Sequence, residues 1–400
     1  MPFKKTWYKI FVSEEIEILK GGLKMKDLLE LRKEIDEIDN QIVALYEKRM
    51  VVAEGVAKYK ISTGKKVFDK EREEQKLEAL TSKASSMFTK HGIRELFEQI
   101  MAMSRKKQYQ LLTENGICED IGFKEVEQLD YSNAKIVFQG VEGAYSQLAM
   151  QEYFGDDCDS FNVDTWKDAM EAIKNGEADY AVLPIENSSA GIVSENYDLL
   201  VEYNNYIVGE QIIKIDHCLL GNQNSSIDDI EIVYSHPQAL MQCSEYFEEH
   251  KNWEKIGAKN TALAASKVSE GGKKNEAAIA SEITADIYDM KVLDKAIQNN
   301  KNNSTRFIIV TGKKVYSKSS SKISICFEIP HESGSLYHML SHFIYNNINM
   351  TNIQSRPIQN KNWEYRFFID FEGDFKDTAV QNALRGLSEE TISLKILGTY

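Results

Sequence analysis

From Ala134 onward, short apolar runs alternate with stretches of helical periodicity, and this alternation constrains the fold more than any other feature. Strand-length runs at Lys135–Phe138, Tyr180–Leu183, Ile230–Tyr234, Lys255–Ala258 and Ala277–Ala280 are each followed by a helical pattern. Strands that alternate with helices build a parallel or mixed sheet covered by those helices. Each handover passes through small polar residues: GVEGAYS (Gly140–Ser146), PIENSSAGIV (Pro184–Val193), SHPQA (Ser235–Ala239), Asn260 with Thr261, and Ser281. For one such junction a polar turn is the plainer reading; here the recurrence carries the argument. Ligands of open α/β sheets bind beyond the carboxyl ends of the strands. Helix N-termini gathered there would offer unpaired N–H groups to an anion. Gly140 and Gly143 do not complete a GxGxxG pattern and no phosphate loop is present, so a nucleotide is disfavoured. The segment closes on Asn302–Val310, where Thr305 and Arg306 precede a clear strand. An arginine beside a hydroxyl can clamp a carboxylate while the hydroxyl meets the reacting centre; taken alone, the pair also reads as a strand flank.

Before this region the pattern is helical. Leu28, Leu31, Ile35, Ile38, Ile42, Leu45, Val52, Val56 and Tyr59 recur every three or four residues, which predicts a long helix with one buried seam. Arg49 occupies a skipped beat of that seam, a costly place unless something anionic meets it. Lys60 shares its face three turns later, whereas Arg32 lies on another face and points to a neighbouring helix or a second subunit. Gly64 ends the helix, and Asp69 caps a second one carrying Arg72 and Glu73. A third helix is expected after His91 and Gly92, with Ser104 on its apolar side and Gln108 one turn on. Surface salt bridges would explain any one of these charges, but not an arginine in a seam. Together they suit a small dianion: cations for two carboxylates, a lysine and an amide for an oxygen that gains charge. Such a pocket works by positioning and electrostatics.

After Ser317–Ser321 the order becomes strand, helix, two strands, helix, strand, over Ile323–Leu397. That βαββαβ order is ferredoxin-like. It carries no catalytic constellation, so binding or dimerisation is its natural role.

The totals narrow the function. A net charge of -14 argues against general nucleic-acid binding. Five scattered cysteines form no CxxC pair, which suggests neither a disulfide framework nor a zinc site and fits a reducing cytoplasm. No apolar run is long enough to cross a membrane. The reading divides the chain into a tail outside the fold (1–24, with Met25 an alternative start), a helical domain (25–112), a linker (113–133), an α/β domain (134–314), a linker (315–321) and a C-terminal domain (322–400).

Three resemblances sharpen this reading. ELRKEIDEIDNQIVALYEKRM, KYK, DKERE and SRKKQ make the first segment resemble the all-α, three-helix chorismate mutase family. The resemblance implies an intertwined homodimer and puts Arg32 (given to the partner's site), Arg49, Lys60, Asp69, Arg72, Glu73, Ser104 and Gln108 on chorismate. Lys60 and Gln108 would bond the ether oxygen as its bond breaks, and Glu73 would hold the ring hydroxyl. GVEGAYS, PIENSSAG, SHPQAL and NSTRF, in that order, resemble prephenate dehydratase. This implies a two-lobed α/β domain like a periplasmic binding protein, with Thr305 catalytic and Asn187, Ser188, Ser189, Gln238 and Arg306 around prephenate. No metal or redox cofactor is called for. SGSLYHML and IQSRPIQNKNWEYRFFIDFEG resemble the ACT domain of prephenate dehydratases. There the resemblance implies feedback inhibition by L-phenylalanine bound at Gly334, Ser335, Leu336, Gln354, Ser355, Arg356 and Pro357. Ser335 and Gln354 depart from the family's usual alanine and glutamate. The reading is a bifunctional enzyme taking chorismate to prephenate and on to phenylpyruvate. Its rivals are a small-anion sensor that has lost catalysis, and a dehydratase whose helices serve only to dimerise.

Overall fold

The computed structural model describes residues 27–117 and 121–400; the tail expected at 1–24 lies outside them. The chain divides into two compact units, a mainly helical one ending at Leu111 and a larger one that takes in Phe68–Arg72 and Leu112–Tyr400.

In the helical unit, α1 (Leu28–Thr63) ends at Gly64, whose φ of 67° is the left-handed conformation that glycine adopts without penalty. α2 covers Lys70–Thr81 and α3 covers Met87–Glu114. His91 and Gly92 lie inside α3 instead of before it. Ser86 and Thr89 exchange side-chain and backbone bonds at 3.1 Å and start the helix a turn and a half earlier. The expected apolar seam is on α1 but is not buried within one chain: Ile38 is 55% exposed and Val52 62%. On α1 only Ala53 and Ala57 are fully buried.

In the larger unit the first lobe holds β2 (Lys135–Gln139), β3 (Asp159–Val163), β4 (Tyr180–Asn187), β6 (Tyr206–Lys214) and β12 (Ser304–Thr311). Helices α4 (Tyr145–Phe154), α5 (Trp166–Asn175) and α6 (Ser194–Glu202) cover it. Residues pointing alternately from these strands fill two cores, one around Val137, Leu183 and Ile308, the other around Ile136, Val182 and Ile309. The second lobe is a five-stranded sheet in the order β11-β7-β10-β8-β9. Its strands are β7 (Cys218–Gly221), β8 (Ile232–Ser235), β9 (Glu254–Gly257), β10 (Glu276–Ala280) and β11 (Lys291–Asp294). It carries α7 (Pro237–Gln242), α8 (Ser244–Glu249), α9 (Thr261–Gly271) and α10 (Glu282–Ile287). The chain crosses between lobes twice, at residues 215–217 and 295–303.

The last segment runs β14 (Lys322–Glu328), α11 (Ser335–Tyr345), β15 (Met350–Pro357), β16 (Tyr365–Glu372), α12 (Thr378–Glu390), β17 (Ser393–Thr399). Its strands extend the first lobe's sheet, in the order β15-β16-β14-β17-β6-β12-β4-β2-β3. The two sheets join where Gly398 lies beside Ile207. A Cβ there would sit 2.0 Å from the Ile207 carbonyl oxygen, so only glycine permits the approach. The two stretches read as linkers are not structureless. β1 (Lys124–Val126) pairs in parallel with β13 (Val315–Ser317), tying the start of the α/β region to its end.

Candidate active sites

β4 does not stop at Leu183. It continues through PIEN to Asn187 and turns back into β5 (Gly191–Ile192), so SSAG is a hairpin tip and not the start of a helix. This corrects the expectation of open helix N-termini. The Ser189 and Ala190 N–H groups donate to Asn187 Oδ1 at 3.0 and 2.8 Å. The N-termini of α5, α7 and α9 are likewise capped by Thr165, His236 and Asn260.

The same turn fixes the Asn187 amide. An oxygen that accepts two backbone N–H groups cannot exchange places with the nitrogen. Asn187 Nδ2 therefore faces β12, donating to Thr305 Oγ1 at 2.8 Å, to Asn303 Oδ1 at 3.0 Å and to the Ser304 carbonyl at 3.2 Å. The register that pairs Thr305 with Asn187 brings them together across 118 residues of sequence. Ser188 Oγ accepts from the Ser304 N–H at 2.9 Å, and Ser189 Oγ accepts from Asn300 at 3.1 Å. Both serines are exposed at the rim, whereas Thr305 is 8% exposed.

Gln238 is half-buried near the start of α7, but the side chain that reaches Asn187 is Gln242, one turn later on the same face. Its Nε2 lies 3.4 Å from Asn187 Oδ1. The sequence reading missed Gln242 and the buried Asn303, though an i, i+4 step from Gln238 would have found the first.

Arg306 is not part of this cluster. Successive strand residues point to opposite faces. The guanidinium donates from both terminal nitrogens to Asp370 Oδ2 on β16 at 3.0 Å, with Glu210 3.4 Å and Glu186 3.6 Å away. Burial opposes its charge, but Asp370 and its other neighbours more than offset this and hold its pKa above the ordinary value. In place of the expected clamp on a substrate carboxylate, Arg306 ties β12 to the C-terminal sheet.

In the helical unit, Arg49 is half-buried and donates to the Ile100 carbonyl at 3.3 Å and to Ser104 Oγ. Burial lowers its pKa, and the charge of Glu73 opposes that shift. Glu73 pairs with Arg105, a buried arginine that the residue-by-residue reading did not single out. Lys60 Nζ donates to the Val67 carbonyl at 2.7 Å. Gln108 is buried and donates to the Ser104 carbonyl at 3.1 Å, while its Oε1 is buried with no hydrogen-bond partner among the described residues. Asp69 caps α2 through the Arg72 N–H at 3.0 Å, and the Arg72 side chain is exposed. Arg32 is exposed, about 25 Å from Arg49 along α1 at 1.5 Å per residue.

The C-terminal residues divide into two groups. Gly334, Ser335 and Leu336 line a hollow with Pro330, His331 and Tyr365 at the start of α11. On β15, Gln354 bonds Asn352 at 3.1 Å and Arg356 pairs with Asp198 at 2.6 Å, both turned toward α6. Ser355 and Pro357, on the opposite face, are exposed. One chain does not bring the seven together.

Fold and sites together define a multidomain enzyme acting on small anionic substrates. The sequence matches the type II chorismate mutase family over residues 31–109 and the prephenate dehydratase family over 136–315. It is 34% identical over 380 residues to the bifunctional chorismate mutase/prephenate dehydratase of Enterobacter agglomerans, covering 93% of this chain and 95% of that one. Among solved structures, the prephenate dehydratase of Arthrobacter aurescens in complex with L-Phe superposes with a TM-score of 0.62 at 28% identity, over 66% of this chain and 89% of that one. GqqA, described as a novel type of quorum quenching acylase, gives 0.60 at 29% identity, over 66% of this chain and 97% of that one. The chain belongs to the bifunctional chorismate mutase/prephenate dehydratase family. It is an isomerase and a carbon–oxygen lyase on one polypeptide.

Proposed function

We propose that the chain converts chorismate to prephenate in its helical unit and prephenate to phenylpyruvate between its two lobes. A likeness to a protein described as an acylase shows that this scaffold accepts other chemistry, so the assignment rests on the site residues. One observation carries it: the Asn187 amide, locked by backbone donors, gives its hydrogen to Thr305 Oγ1. The threonine oxygen accepts that bond, and its own proton is left to donate into the cleft. In prephenate the carbon–carboxylate bond breaks, its electron pair enters the ring, and the ring hydroxyl departs as the ring becomes aromatic. A hydrogen bond from Thr305 to the departing oxygen stabilises the charge gathering there. Ser188, Ser189 and Gln238 surround the substrate in this reading; Arg306 holds the strand.

In the helical unit, Arg49, Arg72 and the partner's copy of the first arginine hold the two carboxylates. Lys60 and Gln108 donate to the ether oxygen as the carbon–oxygen bond breaks and the carbon–carbon bond forms. The Lys60 ammonium, whose bond to the Val67 carbonyl at 2.7 Å helps to place it, carries three hydrogens and so can donate in more than one direction. The exposed stripe of α1 supports a homodimer, because a continuous apolar face of this length calls for a cover. Arg32, remote from Arg49 along its own helix, is then the arginine that serves the other copy.

The last segment, in this reading, is a ferredoxin-like ACT domain. Phenylalanine would bind near Gly334, Ser335 and Leu336, with Gln354 to Pro357 brought in by a second copy. The relative complexed with L-Phe supports that choice of ligand. Cys158, Cys218, Cys243 and Cys326 are unpaired, which suits a reducing cytoplasm. Phenylpyruvate formation from chorismate, followed with and without phenylalanine, tests the whole reading. Prephenate that accumulates without phenylpyruvate would remove the second activity, and rates indifferent to phenylalanine would remove the regulation.

A further inference from the structure

The first crossing between the lobes ends at His217, which is 2% exposed and has no part in the chemistry above. Its backbone joins the two crossings: the N–H donates to Gln298 Oε1 at 2.9 Å, and the carbonyl accepts from the Ile297 N–H at 3.0 Å. Its ring joins the two lobes. Nε2 lies 2.9 Å from Gln242 Oε1 at the end of α7, and Nδ1 lies 3.2 Å from the Tyr145 hydroxyl on α4.

The direction of these bonds follows from Asn187. Its oxygen is fixed by the Ser189 and Ala190 N–H groups, so the atom Gln242 presents to it is the amide nitrogen, at 3.4 Å. Gln242 Oε1 is thereby turned to His217. An amide oxygen only accepts, so His217 Nε2 carries the proton, while the Tyr145 hydroxyl beside Nδ1 donates to the Asp216 carbonyl at 2.9 Å and pins the same crossing. Burial favours the neutral ring, against the Gln242 bond and the Asp216 charge, and it keeps the Tyr145 hydroxyl protonated. One hydrogen-bonded line thus runs from the hinge through the second lobe to Thr305 in the first.

We propose that His217 is a positioning residue for the dehydratase reaction, whose Nε2–H holds the Gln242 amide so that Asn187 and Thr305 present the Thr305 proton to the cleft. The inference rests on the reading of Thr305 given above. It also makes the alignment of Thr305 depend on the spacing of the lobes, since Gln242 stands on one and Asn187 on the other. Bonds of this kind are often long in an empty site and tighten when substrate is held.

The test uses the full chain with prephenate as substrate, and the chorismate rearrangement in the same preparation as a measure of folded protein. His217→Ala and His217→Asn are expected to lower kcat about 10- to 100-fold with KM within about threefold, the pattern of lost alignment. His217→Gln places an N–H near the Nε2 position and is expected to recover most of the loss. Tyr145→Phe removes one hydroxyl at constant shape and is expected to cost a few-fold in kcat, so the line stays testable if an alanine variant fails to fold. Equal losses in all three His217 variants, a change confined to KM, or mutase activity falling in step would overturn the proposal and leave His217 a packing residue. Thr305→Ala, assayed in parallel, separates the two claims. If it retains turnover, the reading of Thr305 itself is lost; if it is inactive while the His217 variants are unaffected, only the positioning role is lost.

Discussion

The two polar regions of this chain are assembled by opposite means. In the helical unit the cations Arg32, Arg49, Lys60 and Arg72 stand on exposed or half-exposed helix faces, and the apolar stripe of α1 beside them is uncovered in a single chain. In the interlobe cleft the groups are short and neutral, and backbone donors and acceptors hold Asn187 and Ser188. A lysine or arginine on a helix gains a fixed position only when a second wall confines it, because its rotamer entropy is large. An asparagine at a strand end is placed by the ladder itself. On the proposed reading the first site waits on a second copy, whereas the second needs only one chain.

The sharpest way to break this contrast is to disable each site alone. Thr305→Ala in the full chain is expected to lower prephenate turnover about 1,000-fold with KM nearly unchanged, leaving the rearrangement of chorismate intact. Steady-state assays of both reactions on one preparation decide it, and retained turnover would exclude Thr305 from the chemistry. Arg49→Ala is expected to lower mutase activity about 100-fold and to spare the dehydratase. Mutase activity that survives would make the helices a dimerisation device.

Assembly separates the regions next. Ile38→Glu puts a charge on the exposed stripe of α1 and is expected to give a monomer in sedimentation, with the mutase lost and most prephenate turnover kept. Loss of both activities together would show that the cleft also needs the partner.

Ion pairs sharpen the comparison in smaller steps. Asp370 and Arg306 are both largely buried, so Asp370→Ala leaves a buried guanidinium with only its weaker partners, Glu210 and Glu186. A cost of about 3 kcal/mol is expected, read as a drop in the unfolding midpoint of the larger unit. Arg356→Ala breaks a pair that water reaches and is expected to cost under about 1 kcal/mol. Equal shifts would mean that the two ties are not graded by burial.

The smallest expected effect is with pH. Burial lowers the pKa of His217, so the folded chain binds that proton more weakly than the unfolded chain does. The contribution is intact above the ordinary imidazole value of about 6.5 and is lost as pH falls below it. Unfolding midpoints between pH 7.5 and 5.5 are expected to fall further for the wild type than for His217→Gln.

Much of this was legible in the letters. The three- and four-residue rhythm of α1 marks its apolar face, four strand-to-helix handovers locate the lobes, and the motifs that carry Asn187 and Thr305 stand out in the sequence. What failed did so for physical reasons. PIENSSAG reads as a helix start because it follows an apolar run, but Gly191 in a left-handed turn folds it into a hairpin. Arg306 beside Thr305 reads as a second ligand group, yet strand alternation sends it to the other face, where Asp370 arrives from 64 residues away.

Periodicity and side-chain chemistry are local, and the sequence alone therefore decided which elements form and which residues are polar enough to act. Which of those residues meet was decided by strand register, by the crossings between lobes and by the close approach at Gly398, since each depends on partners far along the chain. His217 belongs to the second category: no local pattern marks it, and only the folded hinge brings it and Gln242 into line with Thr305.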